Sequence, residues 1–254
     1  EISAGPQAKS VLIKSPSIIL HRYPYSDSSW VVKALTASQV VVSFLVKGGK
    51  RHEFSFKNAI DPLSFSEIVF KKTSKSELYF IKEASLIKWF PEMRNNLEAL
   101  AIAQVMAEVI LRYTPQEAEL EKEFSLLLNA FESLDSSPKT SSILVQWLFE
   151  INDLWGYTIA IQYCVKCGAT LKETPGDFFP ELGGCLCKNC TSDSVPRANP
   201  LFLKDLWSFN QSMPLEKIPL MEKAFLLYLQ RHLGSTQEIH SIQWLKEVRK
   251  LCSL

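Results

Sequence analysis

The stretch YCVKCGATLKETPGDFFPELGGCLCKNC, residues 163–190, holds five of the six cysteines in this 254-residue chain. Two Cys-x-x-Cys pairs stand near its ends, and nineteen residues separate them. A metal, a disulfide pair or a redox centre could each concentrate thiols in this way. Two residues between thiolates let both bind one ion from a tight turn, and two such knuckles supply a tetrahedral four-sulfur shell. The spacing therefore predicts one structural zinc ion (Zn2+) per chain, bound by Cys164, Cys167, Cys187 and Cys190.

Other uses of these cysteines fit the pattern less well. An iron–sulfur cluster could take the same ligands, although the spacing suits a zinc ribbon better. A thioredoxin-like redox pair requires one motif between a strand and a helix, whereas this chain has two motifs. Cys185 is interpreted as a cysteine that does not bind the metal, and Cys252 as a core or surface thiol. Because four thiolates leave no open coordination position, no catalysis is expected at the metal.

The remaining composition is that of a globular protein, with 46% hydrophobic and 22% charged residues. Residues 1–15 lack the charged-then-apolar order of a signal peptide and are expected to form a flexible leader. The longest apolar stretch, residues 97–111, is interrupted by polar residues and is shorter than the roughly 20 residues that span a bilayer. We therefore expect a cytoplasmic location, where disulfides are uncommon.

Residues 16–90 are predicted to form a small closed β-barrel. β-Branched residues are frequent there, and no helical segment intervenes. The predicted strands are SIILHRY (17–23), WVVKALTA (30–37), QVVVSFLVK (39–47), SEIVFKK (66–72) and ELYFIKEA (77–84).

Residues 91–254 are predicted to form a helical domain, with the zinc-binding segment 163–191 inserted between helices. Pro91 suits the first turn of a helix, and glycines at positions 156 and 234 suit helix ends. The predicted helices cover residues 91–113, 117–134, 140–156, 201–212, 215–233 and 241–251. The sequence thus predicts an α+β protein whose domains meet near residue 90.

Charge is unevenly distributed, although the formal net charge of the whole chain is only +1. Residues 1–90 contain 13 Lys and Arg against 7 Asp and Glu, while the remainder contains 15 against 20. A basic first third favours a polyanionic partner, although chance clustering of surface lysines gives the same count.

The predicted DNA-binding residues lie in this basic part. Cations hold phosphates and aromatic rings stack on bases in single-strand grooves. Trp30, Tyr23 and Tyr25 are nearby aromatics, with packing in the barrel core as the alternative. The predicted DNA-binding cations are Arg22, Lys47, Lys50, Arg51, Lys71 and Lys72.

No motif for catalysis is present. The four histidines form no metal-binding pair, and GxSxG, P-loop and GxGxxG sequences are missing. The chain is therefore expected not to be an enzyme.

Several segments, in order, resemble the bacterial recombination mediator family RecO. The resemblance covers about residues 17–245. It is carried by HRYPYSDSSWVVKALT (21–36), VSFLVKGGKR (42–51), ELYFIKEASLIKWFPEMRNNLEALAIA (77–103), YCVKCG (163–168), GGCLCKNC (183–190) and YLQRHLGSTQEIHSIQWL (228–245).

The resemblance implies an N-terminal OB-fold β-barrel, then an α-helical domain with a four-cysteine zinc-knuckle insertion. It implies binding of single- and double-stranded DNA, strand annealing, and help in loading RecA onto SSB-coated DNA in the RecFOR pathway of recombinational repair. Implied partners are DNA, RecR, the SSB C-terminal tail and RecF, with RecA acting indirectly. The segment after KGGKR is less basic here than is usual in the family. The alternative function is a zinc-containing protein-interaction adaptor with weak DNA contact.

Overall fold

The computed structural model describes residues 12–37, 41–71, 78–114, 120–137, 140–171, 177–179, 182–191, 218–234 and 239–252. The chain forms two compact units, Glu1–Asp135 and Ser136–Leu254. The sequence-based division at residue 90 stays a prediction. The compact units differ from it, because the first three helices group with the barrel.

Five strands of the first unit close into a barrel in the order β1-β2-β3-β5-β4. Alternate residues of the third and fourth strands are buried inside the barrel, which matches the alternating apolar pattern of their sequences. The strands are β1 (Leu12–Pro24), β2 (Trp30–Thr36), β3 (Val41–Val46), β4 (Phe65–Lys71) and β5 (Leu78–Lys88). This five-stranded barrel agrees with the predicted OB-fold.

Strand β1 is longer than predicted and pairs with two neighbours. Its first half, from Leu12 to Ile18, is antiparallel to β4, and its second half is antiparallel to β2. The predicted flexible leader reached residue 15, but β1 already begins at Leu12 because β4 supplies its backbone partners. Residues 1–11 lie outside the described part.

The interior of the barrel is a cluster of buried apolar side chains. Phe44 and Phe70 meet edge to face with ring centroids 5.0 Å apart. Trp30 packs against the cluster as a partly buried side chain. Buried members are Ile19, Val32, Ala34, Val42, Phe44, Val46, Ile60, Ile68 and Phe70.

A junction of unusual backbone geometry leads from the barrel into the first helices. Phe90 has a φ of 57° and is fully buried, with its ring 5.7 Å from that of Phe131. A left-handed conformation is strained for a residue with a Cβ, so this packing must hold it in place.

The first unit contains three described helices, α1 (Pro91–Asn95), α2 (Leu97–Tyr113) and α3 (Glu121–Ser136). The sequence predicted one continuous helix over residues 91–113. Asn96 divides it, because its side-chain oxygen accepts the backbone N–H groups of Glu98 and Ala99 at 3.0 and 3.1 Å. An asparagine in this role caps a new helix start.

Arg94 joins α1 to the loop before β4. Its guanidinium lies 3.1 Å from the Asp61 carboxylate and donates to the carbonyl oxygens of Trp89 and Pro62 at 2.7 and 2.6 Å. It also donates to the Ser64 hydroxyl at 3.1 Å. Burial lowers the pKa of Arg94, while the Asp61 charge opposes that shift. The side chain is thus held by a set of partners and not by one ion pair.

The second unit contains the described helices α4 (Thr140–Leu154), α5 (Ile218–His232) and α6 (His240–Cys252). It also contains a three-stranded sheet of β6 (Ala160–Cys164), β7 (Asp177–Phe179) and β8 (Gly184–Leu186), in the order β6-β8-β7. The helix predicted over residues 201–212 lies outside the described residues. No helix among the described residues is long and apolar enough to cross a bilayer.

Replacing Arg94 by alanine should destabilise the first unit. The change removes one of the two guanidinium partners of Asp61, the other being Arg22, and leaves the partly buried Pro62 carbonyl oxygen without its donor. The expected cost is about 1–3 kcal/mol. The measurement is denaturant unfolding followed by tryptophan fluorescence. Lys14→Ala is the matched control, because Lys14 forms an exposed ion pair with Glu67 at 2.8 Å and such pairs contribute less than about 1 kcal/mol. Equal effects of the two changes would contradict this account of Arg94.

Candidate metal centre and nucleic-acid interface

The two cysteine knuckles follow neighbouring parallel strands. β6 ends at Cys164 and β8 ends at Leu186, directly before Cys187. Parallel strands bring their carboxyl ends to the same edge of a sheet. This pairing brings together two knuckles that lie far apart in the sequence.

Backbone hydrogen bonds shape each knuckle. The Gly168 N–H donates to the Cys164 carbonyl at 2.8 Å, and the Cys190 N–H donates to the Cys187 carbonyl at 2.9 Å. Gly168 has a φ of 74°, a conformation that glycine adopts without strain. The short turns direct both thiols of each pair towards one point.

The four predicted ligands come together. The sulfur atoms of Cys164, Cys167, Cys187 and Cys190 all lie within 4.8 Å of one another. Those of Cys167 and Cys187 are 3.7 Å apart. Tetrahedral bonds of about 2.3 Å place neighbouring sulfurs about 3.8 Å apart. The cluster therefore has the size of a four-thiolate metal site.

The electrostatics of the cluster favour a bound cation. Burial raises the pKa of the Cys164 thiol, but backbone hydrogen bonds at Cys187, Cys167 and Lys166 lower it, and the resulting pKa is about 6. Contacts with the sulfurs of Cys167 and Cys187 raise the pKa of Cys190 to about 12. Four thiolates this close repel one another, so full ionisation requires a positive ion between them.

The two remaining cysteines stand apart from this cluster. Cys185 is fully buried in β8, where it pairs with Cys164 on one side and Phe178 on the other. Cys252 is exposed near the end of α6. Neither belongs to the four-sulfur group, which agrees with the sequence-based interpretation.

The small sheet packs on helix α5. The rings of Phe178 and Phe225 meet edge to face, 6.3 Å between centroids. Tyr228 on α5 lies so close to Gly183 that a Cβ there would be 3.1 Å from its ring. The sequence showed neither the sheet nor this packing, because strands of three to five residues carry too little periodicity to be recognised.

A second group of predicted residues surrounds Trp30 in the first unit. The Arg22 guanidinium lies 4.8 Å from the centre of the indole ring, and the Lys50 ammonium lies 5.0 Å from it. Lys50 also donates to the Ser26 carbonyl at 2.5 Å in the β1–β2 loop. Trp30 thus packs on the barrel core and also contacts two cations, while base stacking by its ring stays a prediction.

Arg22 is less accessible than the predicted cations of the loop after β3. Its guanidinium pairs with Asp61 at 3.4 Å, and its side chain is only 20% exposed. The sequence did not indicate this pairing, since Asp61 lies 39 positions away. The geometry indicates that Arg22 mainly holds Trp30 and the loop at Asp61 in position.

The loop after β3 presents the more accessible cations. Lys47, Lys50 and Arg51 are exposed, and the Lys47 ammonium lies 5.5 Å from the centre of the Phe80 ring. Gly49 permits the tight turn, because a Cβ there would lie 2.9 Å from Trp30 and Val46 atoms. The sequence did not indicate that Phe80 lies near Lys47, because this contact depends on the parallel pairing of β3 with β5, which are far apart in the chain.

The other predicted residues differ in position. Lys71 is partly exposed at the end of β4, opposite Phe80, whereas Lys72 lies outside the described residues. Tyr23 and Tyr25 are 37% and 60% exposed. These tyrosines are therefore not part of the barrel core.

Replacing Cys187 by serine should remove the metal and destabilise the second unit. Metal binding is coupled to folding in such sites, and a loss of roughly 2–5 kcal/mol is expected, as for a lost disulfide in a small domain. Elemental analysis of the purified protein and thermal unfolding provide the measurements. Cys252→Ser is the control and should retain one ion per chain. A Cys187→Ser protein that keeps its ion and its melting temperature would refute the assignment.

Comparisons with known proteins cover nearly the whole chain. Residues 11–90 match the family described as "Recombination protein O N terminal", and residues 94–247 match "Recombination protein O C terminal". "DNA repair protein RecO" of Anaeromyxobacter sp. (strain K) is 28% identical over 74% of each chain. That of Geobacter metallireducens is 28% identical over 70% of this chain and 72% of its own.

One solved structure, an asparaginyl-tRNA synthetase of Entamoeba histolytica, is 12% identical, and the match covers 63% of this chain and 35% of the synthetase chain. Its TM-score is 0.27, which is too low to indicate a shared fold. The two family matches together span the barrel, the helices and the cysteine knuckles. The chain belongs to the recombination protein O (RecO) family.

Proposed function

We propose that this chain is a DNA recombination and repair mediator. It binds single- and double-stranded DNA, anneals complementary strands and helps to load RecA onto SSB-coated DNA. Membership of the RecO family supports the repair role, and the cations around Trp30 support the DNA contact. The proposal assigns no catalytic turnover to the chain.

The observation that carries the proposal is the position of the basic loop on the barrel. In OB-folds, the β1–β2 and β4–β5 loops and the β2–β3 face contact oligonucleotides. Lys50 contacts the β1–β2 loop through Ser26, and Lys71 directly precedes the β4–β5 connection. The accessible cations therefore adjoin both loops.

Each cation has a separate part in the proposed contact. Lys47 and Arg51 are exposed and bind phosphates. Lys50 shares its ammonium between Trp30 and the Ser26 carbonyl, so it both shapes the loop and approaches the DNA. Arg22, paired with Asp61, supports Trp30 from below. Tyr25, which is 60% exposed at the start of the β1–β2 loop, provides a ring for base stacking.

The metal is proposed to be zinc with a structural role. A closed shell of four thiolates on two Cys-x-x-Cys knuckles suits Zn2+, which has no redox chemistry and prefers tetrahedral geometry. Bound there, it neutralises the thiolates and holds the β6–β8 sheet edge together. Elemental analysis that finds iron in the native protein would overturn this part of the proposal.

The protein partners follow from the family and not from a site. They are RecR, the SSB C-terminal tail and RecF, with RecA reached indirectly. Action on chromosomal DNA places the protein at the bacterial nucleoid in the cytoplasm. A protein-interaction adaptor with weak DNA contact is the competing function.

Strand annealing distinguishes the two functions. Two complementary labelled oligonucleotides, one coated with SSB, are mixed with and without the protein across a salt series. A mediator accelerates duplex formation, and the acceleration falls steeply with salt because DNA binding releases counterions. No acceleration by folded, metal-loaded protein would exclude the mediator function and favour the adaptor.

Charge reversal at Lys47 and Arg51 should weaken DNA binding regardless of sequence. Each lost phosphate contact lowers the steepness of the log Kd against log salt plot by about 0.7 for a single strand. Fluorescence anisotropy with a labelled oligonucleotide measures both quantities. The control variant carries Lys122→Glu and Arg231→Glu, which changes the net charge equally at exposed positions outside the barrel loops and the cysteine knuckles. Unchanged affinity in the loop variant would remove this loop from the DNA site.

A further inference from the structure

Helices α5 and α6 form an antiparallel pair. Glu222, early in α5, accepts two hydrogen bonds from the guanidinium of Arg249, late in α6, at 2.5 and 2.9 Å. The connection between the helices is short, so contact between their distant ends requires opposite directions. Glu222 is buried, and the bidentate pair fixes the two helices against each other.

A groove with a volume of about 520 Å3 runs between these helices. Its apolar lining comes from both helices and the turn before α6, namely Pro219, Leu226, Leu227, Ile239, Ile242 and Leu245. Leu227 is 41% exposed. Leu226, Ile239 and Leu245 are buried at the base of the groove. Pro219, Leu227 and Ile242 supply its accessible apolar strip, and an accessible apolar surface with polar edges marks an interaction site.

The edges of the groove are cationic. Glu222 neutralises Arg249, and the three other charged lining residues are Lys223, Lys246 and Lys250. All three lysines are exposed, and within the described part of the chain they form no ion pair. The groove therefore complements a partner that is apolar in the middle and negative at its edges.

The length of the groove limits the form of the partner. On α5 its lining extends from Pro219 to Gln230, which is about three helical turns or 16 Å. A partner that inserted only the side chain at the end of a peptide tail would fill a small part of this length. An amphipathic helix fills it by placing residues i, i+3, i+4 and i+7 along the strip.

We propose that the α5–α6 groove binds an acidic amphipathic helix of a protein partner. The partner's apolar face lies on Pro219, Leu227 and Ile242, and its carboxylates face Lys223 and Lys246. The apolar strip is unsuited to a phosphate backbone, which favours a peptide over DNA. This inference goes beyond the proposed function and does not depend on DNA binding by the barrel.

The test uses the full-length, metal-loaded protein and a labelled synthetic peptide of about 15 residues. The peptide has leucines at helical spacing on one face, glutamates on the other, and chemically blocked ends, so that it has no terminal carboxylate. A scrambled peptide of the same composition lacks the apolar face. Fluorescence anisotropy reports binding to the wild type and to a Lys223→Glu, Lys246→Glu variant.

The expected result is binding by the wild type, about tenfold or more weaker binding by the groove variant, and no binding of the scrambled peptide. The Lys122→Glu, Arg231→Glu protein is the charge-matched control, because neither residue lines the groove, and it should bind like the wild type. The groove variant should also anneal DNA normally, which separates failure of this proposal from failure of the proposed function.

Several results would overturn the proposal. These are equal binding of both peptides, no loss in the groove variant, or no binding by the wild type. If the peptide bound only when its C-terminal carboxylate was left unblocked, the occupant of the groove would be an extended C-terminal tail and not a helix. Self-association that the groove variant abolishes would make the groove a contact between copies, and oligonucleotide competition at the groove would make it a DNA site.

Discussion

The first unit depends on the double pairing of strand β1. One strand serves two neighbours, β4 along its first half and β2 along its second, with a register shift between Ile19 and His21. The barrel closes only because β1 is long enough to do both. Closure removes the exposed strand edges that would otherwise seek partners. It also brings the β1–β2 loop beside the turn after β3, where Lys50 reaches Ser26.

A comparable constraint governs the metal-binding part of the second unit. Four thiols within 4.8 Å cannot all ionise without a cation between them. A metal ion bound by the four thiolates would neutralise this repulsion and would link the two knuckles at the edge where β6 and β8 end. The sheet itself is too small to be stable alone. Packing on α5 through Phe178 supports it, and a metal ion held by the four cysteines would add to that support.

The same side-chain chemistry serves two purposes around Trp30. Arg22 lies over the Trp30 ring but is paired with Asp61, so its role is to hold Trp30 in position. Lys47 and Arg51 are exposed and free to approach a polyanion. Residue type alone does not separate these roles, since each is a cation on or beside a strand. The distance to a carboxylate and the exposed fraction of the side chain separate them.

Local patterns in the sequence were sufficient to group the four cysteines, to locate the five barrel strands along the chain and to identify most of the described helices. The Cys-x-x-Cys spacing is a local feature, and so is the change from alternating to helical periodicity near Pro91. The division of the first helix at Asn96 was missed because apolar periodicity continues across it. Only the tertiary structure decided that Arg22 pairs with Asp61, that Glu222 pairs with Arg249, and that β6 lies beside β8. These contacts join residues far apart in the chain, and no local periodicity or spacing encodes them.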